Sequence, residues 1–581
     1  MVVKSRFGWN DQATSTTRPA DLFAPRGTSD VTRGILSLSG NWRPFTWLTG
    51  RSTFGADYAD RTDELYLRTG DDPLALLGQD GKRNRNEGNT KIYSADIGGT
   101  LTLPVTNFLT SRTTVGGQYT HSFTKDMLVQ GTGLSVGATT FNSARIRSMS
   151  EAFEQIATAG WYLEETGIIN ERLYLTAGFR RDRGSAFGKN APAPIYPKLS
   201  ASWLLSQEPF FPRITSLSNL RLRAAYGHAG VQPTTTGAIR TYTPGTGFVD
   251  GEQVTTSILN SLGNADLKPE RSTEFEGGAD ISFLDDRVTV EATYYRKLSK
   301  DAIAGHSPPN SFGYPYLTSR QENVGEVLNT GTEFQITAQP VASHLVSWDF
   351  TLNLSKNRNE LKSLAPGMGL LRNGQEQYEV GYPLSGRWER PILGYNDANK
   401  DGIIAPEEVT VGDSMVFVGQ PVPKRQASWT NSLGFLGNRF RVTAMLDYQG
   451  GLGQVDMATV QRCYGGHCQA TVDPSTPLDQ QAAIAALSKP YPYNTPYYFN
   501  QTVSWTRLRN VTLSYELPLS LVSRVNVSSA RISLMGQNLW LWSQYSGADP
   551  EVNTNPYRNY IIDQGGLPMT RNYSVRLNLG F

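Results

Sequence analysis

No apolar run in the 581-residue chain approaches the roughly 18 residues that a membrane-spanning helix needs. A helical membrane protein is therefore excluded. Charge of one sign is also lacking. The 54 Lys and Arg stand against 52 Asp and Glu, a formal net charge of +2, which leaves no electrostatic case for nucleic acid. Low net charge with plentiful aromatic and β-branched residues excludes a disordered chain. His121, His228, His306 and His344 are isolated, with no metal spacing or acid/base pairing among them. The N-terminus has neither an apolar stretch nor a small-residue cleavage site, so it does not read as a signal peptide.

Glycine, tyrosine and phenylalanine are abundant, at 56, 27 and 23 residues, and the mean hydropathy is −0.38. The composition is that of a large β protein. Residues 1–30, with Pro19 and Pro25, read as an irregular lead-in. At the other end the chain alternates strictly. Tyr573, Val575, Leu577, Leu579 and Phe581 share one face, and Asn572, Ser574, Arg576, Asn578 and Gly580 the other. Such a segment closes a soluble sheet, or it is a barrel strand with its apolar face to lipid and its polar face to the lumen. The pattern recurs in Val346–Leu354 and in Phe440–Tyr448, the latter after the tight Gly437-Asn438 turn.

About seventeen such segments follow one another, each about ten residues long, the length that spans a tilted barrel wall. They begin near residues 34, 45, 91, 109, 150, 172, 196, 217, 272, 288, 323, 345, 423, 438, 502, 530 and 573. If the last strand runs down to a periplasmic C-terminus, the long excursions 303–322, 359–422, 450–501 and 544–572 all fall outside. The tight turns 284–287, 340–344 and 436–439 all fall inside. Short inner turns and long outer loops are the outer-membrane pattern. Residues 31–581 thus read as an all-β, antiparallel transmembrane barrel; the odd strand count means either that the count is off by one or that strands are missing upstream, and the lack of a signal peptide favours the second.

Several segments resemble one family in its own order. They are Leu267-Lys268-Pro269-Glu270, Asn323-Val324-Gly325 with Asn329 to Glu333, Gly381-Tyr382-Pro383-Leu384, Arg507-Leu508-Arg509-Asn510, Gln537-Asn538-Leu539 and Gly547 to Glu551. Together they resemble the SusC/RagA-type TonB-dependent outer-membrane transporters. The resemblance implies a 22-strand barrel with an N-terminal plug, of which this chain supplies the C-terminal part without plug or TonB box. It implies import of a glycan oligosaccharide or peptide, a SusD-like surface lipoprotein, energy from the TonB-ExbB-ExbD complex, and insertion by the barrel-assembly machinery. Tyr573, Val575, Leu577, Leu579 and Phe581 are similar to that family's barrel-assembly signal.

One local site stands out. Residues 397–408 match the twelve-residue calcium-loop template, with Asp397, Asn399 and Asp401 at positions 1, 3 and 5. Gly402 makes the turn, the Ile403 carbonyl ligates, and Glu408 is the bidentate twelfth residue. Hard oxygen donors suit Ca²⁺; the alternative is an acidic turn cluster without metal. The only cysteines, Cys463 and Cys468, read as a short disulfide in an oxidising outer compartment. Gly133-Leu134-Ser135-Val136-Gly137 matches a nucleophile elbow, but no amphipathic helix follows, so it is a chance match. Trp348, Tyr448, Trp505, Trp540 and Trp542 read as an interfacial girdle or as sugar-stacking residues at the outer mouth, the shared parity of Trp540 and Trp542 favouring the girdle for those two; Tyr314, Tyr316, Tyr491 and Tyr493 read as candidates for ligand contact. No catalytic set is recognisable, so the chain reads as a non-enzyme. The alternatives to energised import are a passive porin-like barrel and a surface β-lectin.

Overall fold

The computed structural model describes residues 26–581, apart from 71–80, 189, 191, 232–236, 307–319, 365–370, 374–375, 385, 465–467, 523–526, 553–560, 564–565, 567 and 581. The long strands come first: β1 (Arg26–Phe45), β2 (Leu48–Leu67), β3 (Lys82–Pro104), β4 (Leu109–Leu134), β5 (Ala144–Ile169), β6 (Leu173–Gly184), β7 (Ile195–Leu204) and β8 (Leu217–Val231). A separate hairpin, β9 (Thr241–Val249) with β10 (Glu252–Ser261), precedes β11 (Glu270–Phe283), β12 (Val288–His306), β13 (Arg320–Ala342) and β14 (Val346–Leu364). Short strands follow: β15 (Leu371–Asn373), β16 (Glu376–Tyr378), β17 (Arg387–Glu389), β18 (Ile392–Tyr395), β19 (Val409–Val411) and β20 (Val416–Gly419). The chain then forms β21 (Arg425–Phe435), β22 (Phe440–Asp456), helix α1 (Met457–Tyr464), helix α2 (Leu478–Leu487), β23 (Asn500–Glu516), helix α3 (Leu519–Val522), β24 (Ser529–Ser543), β25 (Ile561–Asp563) and β26 (Asn572–Gly580).

Among the described residues eighteen strands belong to one large sheet. Seventeen are long, and they are the seventeen segments expected from alternation; β25 is the three-residue addition. The long ladders are antiparallel and join neighbours in the chain, as in β1–β2, β2–β3, β3–β4, β4–β5, β21–β22 and β22–β23. The turns have the backbone that tight right-twisted hairpins need. Asn170 and Glu171 have φ of 49° and 57°, and Leu436, Gly437 and Asn438 have 53°, 70° and 64°.

The chain divides into two compact units. The first holds residues 1–200, 226–273 and 299–325. Here the strands overrun the ten residues expected of them: β1 and β2 have 20 each, and β4 and β5 have 26. Polar rungs continue the ladders beyond the length a bilayer needs, with ion pairs such as Arg83–Glu64 (3.0 Å) and Arg85–Glu87 (2.7 Å) between and along them. The lead-in is correspondingly shorter. Residues 26–30 already pair with 62–66 of β2, and residues 1–25 lie outside the described part.

The second unit holds residues 201–225, 274–298 and 326–581. Its excursion 359–422 begins later than expected, because β14 runs to Leu364. The excursion 450–501 is not a plain loop: β22 persists to Asp456, and α1 and α2 follow. The two excursions share a core. Ile404, Val409, Ala482, Ala485 and Ala486 are buried together, with Ile392 and Val411 packed on them.

Candidate functional site

The loop 397–408 takes much of the shape its template demands. Gly402 has φ +81°, the left-handed turn that glycine favours. Its N–H donates to Asp397 Oδ2 at 3.0 Å. The Asp401 N–H donates to Asn399 Oδ1 and the Ile403 N–H to Asp401 Oδ1, at 3.0 and 2.7 Å. Asp397 Oδ1 is buried with no hydrogen-bond partner. Glu408 departs from the template. Its carboxylate accepts the N–H groups of Ala398 (2.8 Å), Asn399 (3.3 Å) and Ala405 (2.9 Å). Those bonds, Ala405 first, hold its pKa below the ordinary carboxylate range. Among the described residues no three His, Cys, Asp or Glu side chains are gathered as a cage. The oxygens of Asp397, Asn399, Asp401 and the Ile403 carbonyl are hard donors of the kind a Ca²⁺ site would use. Glu408 fits only on releasing the backbone.

One glutamine joins this loop to α2. Gln481 is 1% exposed. Its Oε1 accepts the Ile404 N–H at 2.8 Å, and its Nε2 donates to the Gly402 and Thr476 carbonyls at 3.0 and 2.8 Å. Lys489 Nζ donates to the carbonyls of Pro406 and Val409, each at 2.7 Å. Cys463 and Cys468 are bonded to each other, with Cα atoms 4.7 Å apart; His467 lies outside the described residues. In the same excursion as the 397–408 loop, Arg387 and Glu389 form a buried ion pair. Burial pushes the Glu389 carboxyl up, and Arg387 opposes it.

A second polar centre was not foreseen from the sequence as a site. Arg507 and Asp549 are 3% and 2% exposed and meet at 2.6 Å. Arg507 Nε also lies 2.6 Å from Glu551 Oε2, without hydrogen-bond alignment, so that contact is Coulombic. Arg509 bridges Asp447 and Glu551, each at 2.7 Å. Both guanidinium carbons stand 5.9 Å from the Trp505 ring centroid. Trp505 is therefore not a girdle residue; it is 2% exposed beneath two arginines. The signal was present in the Arg507-Leu508-Arg509 alternation, which puts two cations on one strand face. The Met569 N–H donates to Asp549 Oδ2 and Asn538 Nδ2 to the Thr570 carbonyl, so both ends of the last excursion are fastened here.

Near this centre the strands of the second unit line a cavity of about 710 Å³, with Glu274, Glu276, Glu291, Glu333, Tyr295 and Arg509 on its wall. On β24, Trp540 and Trp542 are 54% and 50% exposed, with rings 6.3 Å apart, as lipid-facing aromatics are. Tyr491 is exposed. Tyr493 is engaged by Arg390, whose guanidinium carbon is 5.2 Å from the ring, and by Asp413. Tyr314 and Tyr316 lie outside the described residues. In β26 the apolar face, Tyr573, Val575, Leu577 and Leu579, is exposed along its length, and Phe581 is outside the described part. The segment Gly133–Gly137 leads into a short 3-10 turn at Phe141–Ser143 and then β5, with no helix after the serine.

The model of a family described as TonB dependent receptor-like, beta-barrel, matches residues 3–539. TonB-dependent receptor P3 of Formosa agariphila is 24% identical over 78% of this chain and 49% of its own length. TonB-dependent receptor SusC of Bacteroides thetaiotaomicron is 22% identical over 80% of this chain and 48% of its own. The chain thus spans about half the length of the curated relatives it matches. A solved structure of the RagAB peptide transporter superposes with a TM-score of 0.78 at 17% identity, covering 96% of this chain and 63% of that one. That likeness is one of fold. The chain belongs to the TonB-dependent receptor β-barrel family, a family of outer-membrane receptors and not of enzymes.

Proposed function

We propose that this chain is barrel wall of a SusC-like importer, which takes a glycan oligosaccharide or peptide across the outer membrane. The observation that carries the reading is the two-faced wall: long antiparallel strands with apolar residues outward and a charged, cavity-bearing inner face. Its partners on this reading are the TonB-ExbB-ExbD complex, a SusD-like surface lipoprotein and the barrel-assembly machinery. The test is uptake by cells carrying the whole protein, with peptides and oligosaccharides supplied separately as sole nutrient. Uptake of one class that stops on loss of TonB supports the proposal. Uptake that persists without TonB overturns it in favour of a passive pore.

We further propose that residues 397–408 take up Ca²⁺, with Asp397, Asn399, Asp401, the Ile403 carbonyl and Glu408 as ligands. The orphaned, buried Asp397 Oδ1 supports this. The ion would supply fixed positive charge that holds the outer module in one shape.

A further inference from the structure

Strand β5 does not have the same neighbour along its whole length. It pairs with β4 from Ala144 to Ile169, and with β6 only from Thr158 to Ile169. Above that the β5–β6 ladder ends on one rung. The Ser185 N–H donates to the Ala157 carbonyl at 2.9 Å, and the Ala157 N–H donates to Ser185 Oγ at 3.0 Å. The backbone groups of Ala157 therefore point toward the β6 side. Alternation then sends those of Gln155, Phe153, Glu151, Met149 and Arg147 to the same side. The even residues between them spend their groups on β4. From Arg147 to Ala157 the edge runs about 33 Å at roughly 3.3 Å per residue. By strand direction it stands on the outer side, beyond the end of β6.

Arg147 and Glu151 give this edge charge, but among the described residues it is neither short nor bent. It has no proline, and the β4–β5 register holds without a bulge from Ile146 down to Ile169. Met149 and Phe153 are 74% and 77% exposed. Natural sheets protect long edges by shortening, bending or covering them. Here neither of the first two has happened.

We propose that the β5 edge over Arg147–Gln155 is a docking site for an extended segment of a partner protein at the cell surface. The segment adds as a strand antiparallel to β5 and continues the line of β6. The occupant's chemistry follows from the edge. Donor and acceptor pairs recurring every second residue match an extended polypeptide backbone and not a glycan or lipid headgroup. The edge also continues an existing ladder, whose last rung at Ala157 sets the direction. Charge then sets a pattern. Arg147 and Glu151 share a face. Glu151 is already paired with Lys125 of β4, so the charge left for a partner on this face is Arg147, and the partner presents an acid opposite it. The inference concerns an outer-surface partner and does not depend on what the barrel imports.

The test is photo-crosslinking in native outer membranes of the whole protein, with a benzophenone amino acid placed at Met149 or Phe153. The expected result is crosslinking of both positions to one polypeptide. The two attachment points lie about four residues apart and run opposite to β5. Absence of crosslinks, or crosslinks only to lipid, glycan or a short transported peptide, overturns the proposal. The double variant Met149→Pro and Phe153→Pro removes two edge donors and leaves the β4 ladder intact. A crosslinker at Glu151 should lose its product in that variant. A product that persists in the folded variant overturns the proposal. If the variant fails to fold, hydrogen exchange of the unaltered protein decides. The amides of Arg147, Met149, Glu151 and Phe153 should exchange at least about 100-fold more slowly in native membranes than in the purified protein. Equal rates in the two preparations overturn it.

Discussion

Arg507 and Asp549 lie 42 residues apart in the chain and 2.6 Å apart in space, both almost wholly out of solvent. Removing Arg507 leaves Asp549 buried without a cation, whereas removing Asp549 leaves Arg507 still 2.6 Å from Glu551. Arg507→Ala is therefore expected to cost about 3–5 kcal/mol, whereas Arg507→Met with Asp549→Leu costs much less. Urea unfolding of the detergent-solubilised barrel, followed by tryptophan fluorescence, measures both.

Gln481 binds three backbone groups in a buried setting. Gln481→Ala removes all three bonds at once. An expected cost of about 2–4 kcal/mol follows from the buried groups left unsatisfied. The loss should be local. Hydrogen exchange is expected to quicken in residues 397–408 and in α2 while β21–β23 remain protected.

Calcium and pH act on the same carboxylate. On the proposed reading, calcium slows proteolysis of residues 397–408 with half-saturation on the order of 0.1–1 mM. Asp397→Ala abolishes the effect. The pH dependence has a definite sign. Glu408 has a folded pKa below its unfolded value, so its contribution is present above the unfolded value and is lost as pH falls through the folded one. Loop protection without calcium should thus hold from neutral pH down through the ordinary carboxylate range and fail only below it. Loss of protection at neutral pH would count against the backbone bonds of Glu408.

Reducing the Cys463–Cys468 bond opens a loop closed over a sequence separation of five. The chain-entropy model gives about 2 kcal/mol for so short a closure. Reductant is therefore expected to speed proteolysis between α1 and α2 without changing the heat-modifiable mobility of the barrel on a denaturing gel.

The wall was legible in the sequence because lipid and lumen impose opposite demands on successive residues. All seventeen long strands fall on segments expected from that alternation, and the Leu436-Gly437-Asn438 turn follows from its residue types. Strand length was not legible. Outside the bilayer the alternation fades, and the extra rungs of β2 and β3 rest on ion pairs such as Arg83–Glu64. The calcium-type loop was readable as a motif, but the use of Glu408 as a backbone cap was not, since that depends on where the chain folds. Trp505 misled for a related reason. Its period matches a girdle, and only the return of Asp549 and Glu551 from a distant excursion gathers charge above it. The contact of Gln481 with residue 404 spans 77 positions and leaves no local trace.

The long ladders of the wall join strands that are consecutive in the chain or separated only by an outer excursion. An insertion in an outer excursion therefore shifts no register. Its main penalty is loop closure, about 0.6 kcal/mol for each doubling of length. A substitution in a turn such as 436–438 meets strained backbone at once. Descendants of this chain can thus rebuild the outer surface extensively while inheriting the inner turns nearly unchanged, so the two rims of one barrel evolve at different tempos.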